Sequence, residues 1–353
     1  MTTSTHSIDY DIKKAADQYA ERIFCQSDDK CEIVSMLKAD AQKRVYHDMV
    51  NYPDEFKDKP KLLHVEPWDG KKPSGPRDFL SKKTVVLPSL PQILIQIKRV
   101  INDPKSTADD LVAIINKDPK LVASVLRLAN SEAFNLSATI DTPSKAVALL
   151  GVQKAGLLAL GTVSFSMFKK SKIAVLELEK FWKHSIACGI IAQEIARTAN
   201  LGDPEPFFVS GLLHDIGVHV IFESERSLAV ELIRIANEKQ ISFYDAEVEV
   251  LGFNHAVLGG ILSQDWELPP NLVKAAAGHH DPETIKIDIE AAVIHVADYF
   301  ASALGYELGL SLVIGSLDKN ALKTIGITPS QFTELIPKLR VLIDETFKTL
   351  NQD

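Results

Sequence analysis

Apolar residues recur at spacings of three and four along most of this chain, and no stretch alternates as a strand would, so the pattern predicts an all-α fold. Ile12, Ala16, Tyr19 and Ile23 mark a first helix, and a second amphipathic stretch runs from Cys31 to Met49. From Tyr52 to Thr84 the periodicity fades among prolines 53, 60, 67, 73 and 76, which predicts a linker or a segment strapped across a surface. Pro88 and Pro91 then introduce a helix carrying Ile93, Leu94, Ile97, Val100 and Ile101 on one stripe. Ser106 with Asp109 reads as a capping box, Asp118-Pro119 opens a helix reaching Asn130, and Thr142-Pro143 opens an apolar region to 168, divided near Gly151. Further helices are expected at about 177–200, 205–223, 227–239, 243–252, 254–266, 269–280 and 287–304, with a tail helix from Ser330 to about Leu350. No fixed-period repeat signals a solenoid.

At 353 residues and 46% hydrophobic, the chain can bury a large core. Its net charge of −8 falls entirely beyond residue 83, since residues 1–83 hold as many Lys and Arg as Asp and Glu. An acidic body argues against a nucleic-acid partner, which needs a clustered basic surface. The short pairs Lys71-Lys72 and Lys82-Lys83 read as solvated linker. No apolar stretch follows the first charges of the N-terminus, so export is not expected. The nearest thing to a membrane span, Ala146 to Phe168, is interrupted by Gln153 and Lys154, and a buried core helix pair is the better expectation. Cys25, Cys31 and Cys188 lack any framework or zinc-site spacing and read as reduced thiols, which places the chain in the cytoplasm.

Polar residues inside otherwise apolar helices carry the candidate chemistry: His184, His214-Asp215 within Leu212 to Gly217, His255, the pair His279-His280, and Asp298. Burying an imidazole or a carboxylate among Leu, Ile and Val is costly unless each is paired or bound to metal. These seven therefore need one another. Imidazole nitrogens with carboxylate oxygens suit Fe, Mn, Zn, Co or Ni rather than Ca. A buried hydrogen-bonded network without metal remains the alternative. His219 and His295 lie near enough to support such a site, but core or surface positions suit them better; His6, His47 and His64 look like ordinary surface residues. Trp182 and Trp266 are expected in the core.

Several phrases in order resemble the HDOD family of bacterial signal-transduction proteins, within the HD superfamily. They are Val86 to Pro91, Asp118-Pro119-Lys120-Leu121, Arg127 to Ser131, Thr142 to Val147 followed by Leu149-Leu150-Gly151, Leu212 to Gly217, and Ile294 to Tyr299. The resemblance covers roughly 84–305, as an N-terminal half (84–170) and an HD-like half (171–305). It leaves an N-terminal helical segment (1–51), a linker (52–83) and a C-terminal helical extension (306–353). It implies that His184, His214, Asp215 and Asp298 match the ligands of one ion. His255, His279 and His280 match those by which HD-GYP phosphodiesterases bind a second, with Asp215 as the bridge and the residue nearest the chemistry.

Three departures bear on activity. Val218 stands where HD-GYP enzymes carry a phosphate-holding Lys, Asp281-Pro282-Glu283-Thr284 replaces a Gly-Tyr-Pro segment, and Lys180 occupies the place of a third-ion carboxylate. Gly305-Tyr306 comes too late and is followed by Glu307. Two functions are therefore expected: a cytoplasmic regulatory protein binding a signalling partner or a small phosphorylated ligand, or a di-metal phosphohydrolase on a nucleotide or other phosphate ester. Cyclic-di-GMP hydrolysis is not expected.

Overall fold

Proline and short polar residues start most of the helices. In the computed structural model, which describes residues 2–52, 65–81, 91–134, 139–168 and 176–351, every regular element is a helix. The N-terminal pair α1 (Thr2–Ile23) and α2 (Glu32–Asn51) is followed by the short α3 (Pro76–Ser81). Then come α4 (Gln92–Asn102), α5 (Ala108–Ile115), α6 (Pro119–Ala129) and α7 (Pro143–Phe168). The second half comprises α8 (Leu178–Thr198), α9 (Glu205–Leu213), α10 (Ile216–Ser224), α11 (Arg226–Lys239), α12 (Phe243–Leu251), α13 (His255–Asp265), α14 (Pro270–Gly278), α15 (Pro282–Ile287) and α16 (Ile289–Ala303). The chain ends with α17 (Lys319–Ile325) and α18 (Pro329–Asn351).

Local chemistry accounts for the boundaries. Asp118 caps α6 through Lys120 and Leu121 with Pro119 in the first turn, where a missing N–H costs nothing. The capping box lies one residue later than the sequence suggests, between Thr107 and Asp110, because Thr107 holds the extended cap conformation and both reciprocal bonds form there. α7 is broken at Gly151, whose φ of +80° an L side chain rarely adopts. The two stretches apolar enough to cross a membrane, Pro143–Ser164 and Glu205–Ser224, are mostly buried inside the fold.

One continuous core joins the halves. α8 is buried along most of its length and packs against α9, α16 and α18. The N-terminal helices dock on this core, with Phe24, Ile33, Leu37 and Ala41 fully buried within it. Ser27 and Tyr299 share a hydroxyl hydrogen bond at 2.7 Å, and Gln26 donates to Asp245 at 2.9 Å. The described part of the linker is a strap: Phe79 is fully buried against Phe253, and Arg77 pairs with Asp265 at 2.6 Å. Residues 86–90 of the first resemblance phrase, and His64, lie outside the described residues.

Candidate metal and ligand site

Two expected helices stop at the residues that matter. The region 205–223 is α9 and α10 rather than one helix, and His214-Asp215 forms the joint between them. Asp215 leaves helical geometry at φ −95° and ψ 18°, so its carboxylate does not follow the helix repeat from His214. Likewise α14 ends at Gly278, and the pair His279-His280 forms the turn that follows. His255 is the first residue of α13, capped by Asn254. His184 and Asp298 lie within α8 and α16. Four of the seven side chains thus sit at joints, where a backbone turn can aim them inward.

Gly217 is what lets the joint close. A Cβ there would stand 2.0 Å from the carbonyl oxygen of His255, so only glycine allows α10 to touch the start of α13 this closely. That contact places His255 beside Asp215.

The seven residues converge on Asp215 and Asp298. The two carboxylate oxygens of Asp215 face different groups: Oδ2 lies 3.3 Å from His214 Nε2 and 3.5 Å from His184 Nε2. Oδ1 lies 3.2 Å from His255 Nε2 and 3.6 Å from His279 Nε2. Asp298 approaches His184 at 3.3 Å and His280 at 3.8 Å. Tyr244 packs on the His280 ring, centroids 4.6 Å apart.

Behind the ring of Nε2 atoms, the Nδ1 atoms of His184, His214, His255 and His279 each meet an acceptor. His184 donates to Tyr306 O at 2.6 Å and His214 to Gly211 O at 2.7 Å. His279 donates to Ala276 O at 3.0 Å, and His255 to Glu247 Oε2 at 2.6 Å. A carbonyl accepts only, so Nδ1 carries the proton and, in the neutral ring, Nε2 presents its lone pair. The Nε2 atoms of His214, His255 and His279 and Oδ1 of Asp215 are buried and have no hydrogen-bond partner among the described residues.

Without a metal ion, the carboxylates draw protons onto three of these rings instead. Burial lowers the His255 pKa, but the carboxylates of Glu247 and Asp215 outweigh it and carry it to about 10. For His184, burial is outweighed by Cys188 and the two aspartates, and for His214 by Asp215 and Cys188, so both rise well above the usual imidazole range. Burial pushes His279 and His280 down. Asp215 resists burial through His214 and His255, and is held well below the usual carboxylate range. Carboxylates packed this deeply demand cations, whether protons or metal.

Two residues join the site that the sequence pattern passed over. Glu247 is fully buried on α12 and also accepts the His255 backbone N–H at 3.1 Å. Its signal was its place in the stripe Phe243, Ala246, Val250, Leu251, where a carboxylate is out of character. Cys188 lies 3.4 Å from His184 Nε2, one turn along α8. His295, expected at an ordinary position, is buried and bridges the His279 carbonyl at 2.8 Å and the Asp318 backbone N–H at 2.9 Å. His219 is a core residue against Phe181, His47 is exposed, and Trp182 and Trp266 are buried. Three groups of side chains are close enough to hold a metal ion: His184 with Cys188, His214 and Asp298; His255 with His279 and His280; and His214 with Asp215 and His279.

The cluster opens into a cavity of about 740 Å³, bounded by Gln26, Tyr244, Asp245 and the 307–319 segment. This size suits a small-molecule site. Asp245, Glu307 and Asp318 add to the acidic side of its wall. Lys319, already paired with Asp28, is the only Lys or Arg among the described lining residues.

A model of the HDOD domain matches residues 87–282. A protein from Shewanella amazonensis SB2B, provisionally named a phosphohydrolase, has a similar structure at TM-score 0.62 and 26% identity, covering 77% of this chain and 98% of that one. An HDOD domain protein of unknown function from Geobacter sulfurreducens aligns at TM-score 0.59 and 24% identity, over 77% and 96% of the two chains. An uncharacterized protein of Treponema pallidum (strain Nichols) is 27% identical over 198 residues, which is 55% of this chain but only 38% of that relative's length. The matched segment takes in six of the seven converging residues, while Asp298 and the 307–319 wall lie beyond it.

Proposed function

The chain belongs to the HDOD domain family, and on that premise we propose that it is a regulatory protein of signal transduction. In this proposal it holds divalent transition metal in the histidine–aspartate cluster and recognises a small phosphorylated ligand in the adjoining cavity. The observation that carries the proposal is the set of buried, partnerless Nε2 atoms of His214, His255 and His279 around Asp215 Oδ1. Lone pairs facing a carboxylate repel it unless a cation lies among them. Protons could serve, but they would leave contacts of 3.2 to 3.6 Å without hydrogen-bond alignment. Nitrogen and carboxylate donors fixed from behind by Tyr306, Gly211, Glu247 and Ala276 fit a transition-metal site.

His184, His214 and Asp298 would hold an ion on one side and His255, His279 and His280 on the other, with Asp215 dividing its oxygens between them. A bound divalent ion would neutralise phosphate oxygens and acidify water. The cavity wall itself is acidic, so the protein alone would repel an anionic ligand and leave its attraction to the ions. Val218 is fully buried among apolar neighbours and supplies no cation. Ligand recognition without rapid turnover follows from that lack.

A second function, slow phosphohydrolysis, draws on the same donors and on the name given to the Shewanella protein. Metal content of protein purified without chelator, followed by turnover of bis(p-nitrophenyl) phosphate, tests both. Bound metal with turnover near background is expected. Metal-free protein would overturn both functions, and robust turnover lost in His214→Ala would replace the first with the second.

A further inference from the structure

Cys188 follows His184 by four residues, so one turn of α8 stacks the two side chains on one face. Its sulfur lies 3.4 Å from His184 Nε2. Helix α9 meets α8 at Gly211, where a Cβ would stand 2.6 Å from Gly189 N and 2.7 Å from the Cys188 carbonyl. That close approach brings His214, three residues further on, to the same point. One donor atom from each of His184, Cys188, His214 and Asp298 lies within 4.8 Å of the other three. Cys188 and His214 are fully buried, and His214 Nε2 has no hydrogen-bond partner among the described residues.

A buried cysteine is ordinarily a small apolar filler. Filling explains the volume at 188 but gives no reason for sulfur within ligating reach of His214 Nε2, which lacks a hydrogen-bond partner among the described residues. We propose that Cys188 supplies a thiolate ligand beside His184, His214 and Asp298, which makes this half of the cluster a site for a thiophilic ion such as zinc or cobalt. This rests on the metal proposal above and sharpens it. The thiol proton passes to solvent on coordination. A thiolate favours zinc or cobalt over manganese or magnesium. His255, His279 and His280 on the other side offer no sulfur. The two halves of the cluster thereby differ in kind: one offers sulfur beside nitrogen and oxygen, and the other offers nitrogen and oxygen alone.

The chain has three cysteines, so a Cys25→Ser, Cys31→Ser protein leaves Cys188 as its sole thiol. Metal-stripped samples are dialysed against cobalt(II), with metal counted per chain and the near-ultraviolet spectrum recorded. An intense thiolate-to-cobalt charge-transfer band is expected, saturating at one ion per chain. Adding Cys188→Ser should abolish the band while cobalt still binds. Cobalt bound without the band, or a band that survives Cys188→Ser, overturns the thiolate proposal and leaves the metal proposal standing. A chain that binds neither cobalt nor zinc overturns both. Because the decisive spectrum comes from protein that keeps Cys188, poor folding of the Ser variant does not blunt the test; circular dichroism checks the double variant.

Discussion

Glu247 shows how a single side chain can set the behaviour of another. It is fully buried, and its one oxygen accepts both the ring Nδ1–H and the backbone N–H of His255. Glu247→Ala would orphan two buried donors, a loss of about 1–3 kcal/mol for each such group, and would free the His255 ring to turn. Loss of an outer partner of this kind weakens metal affinity by about 10–100-fold. Glu247→Gln keeps an acceptor and should recover part of that loss, as titration with zinc against a competing chelator would show; equal affinity in all three proteins would mean that Glu247 does not orient a ligand. At this scale the sequence was legible wherever a residue was out of character in its own helix. His184, His214, Asp215, His255, His279, His280 and Asp298 stood out in that way. Glu247 was hidden by the neighbouring carboxylates Asp245, half-buried in the cavity wall, and Glu249, exposed, which share its composition but not its depth. Cys188 was hidden because a cysteine among apolar residues is the commonplace case.

Helix ends matter more than helix interiors in this fold. The apolar run 205–223 gives no local reason to stop at His214-Asp215, with neither Pro nor Asn at the joint, so pattern alone merges α9 and α10. What breaks the run is tertiary: Gly217 lets α10 close on the His255 carbonyl, and Asp215 turns inward. The same limit applies at His279-His280, where the anchor is the His295 ring on the His279 carbonyl. Boundaries written in local chemistry, such as the Asp118 cap and the Gly151 break, were readable. Gly217→Ala should therefore be costly although it is helix-favouring by propensity. Its methyl would need the 2.0 Å approach to His255 O to open, and overpacking of this kind costs about 1–3 kcal/mol. Lower thermal stability together with reduced zinc retention is expected; a Gly217→Ala protein with unchanged metal content would show that this contact does not position His255. His295→Ala should likewise release the His279-His280 turn and weaken zinc retention, whereas His47→Ala, on the exposed face, should leave it unchanged.

Across the whole molecule, the donors come from α8, the α9–α10 joint, α13, the turn after α14, and α16. Sequence order alone could not show that the N-terminal pair and the 307–319 segment would close around these same elements, because that depends on contacts between residues far apart, such as Gln26 with Asp245 and Ile314 with Ile23. A cluster drawn from so many elements makes bound metal a tie across the fold, so its removal should be read in global stability. A ligand that binds only the folded state stabilises it by about 4.1 kcal/mol at a free concentration of 1,000 times its Kd. For a chain of this length that corresponds to a fall in Tm on the order of 5 °C when metal is stripped. Readdition of zinc should restore the transition, and Asp215→Asn, which removes the shared carboxylate charge, should lower the metal-dependent increment. The pH dependence has a fixed sign. Metal needs unprotonated imidazoles, while the carboxylates of Glu247 and Asp215 overcome burial and raise the metal-free His255 pKa to about 10. Protons therefore compete through the neutral range, and zinc affinity should rise steadily from pH 6 to pH 8, measured by competition titration at fixed ionic strength. A Tm that does not respond to chelator at any pH in that range would place the stabilising cations of this cluster among the protons instead.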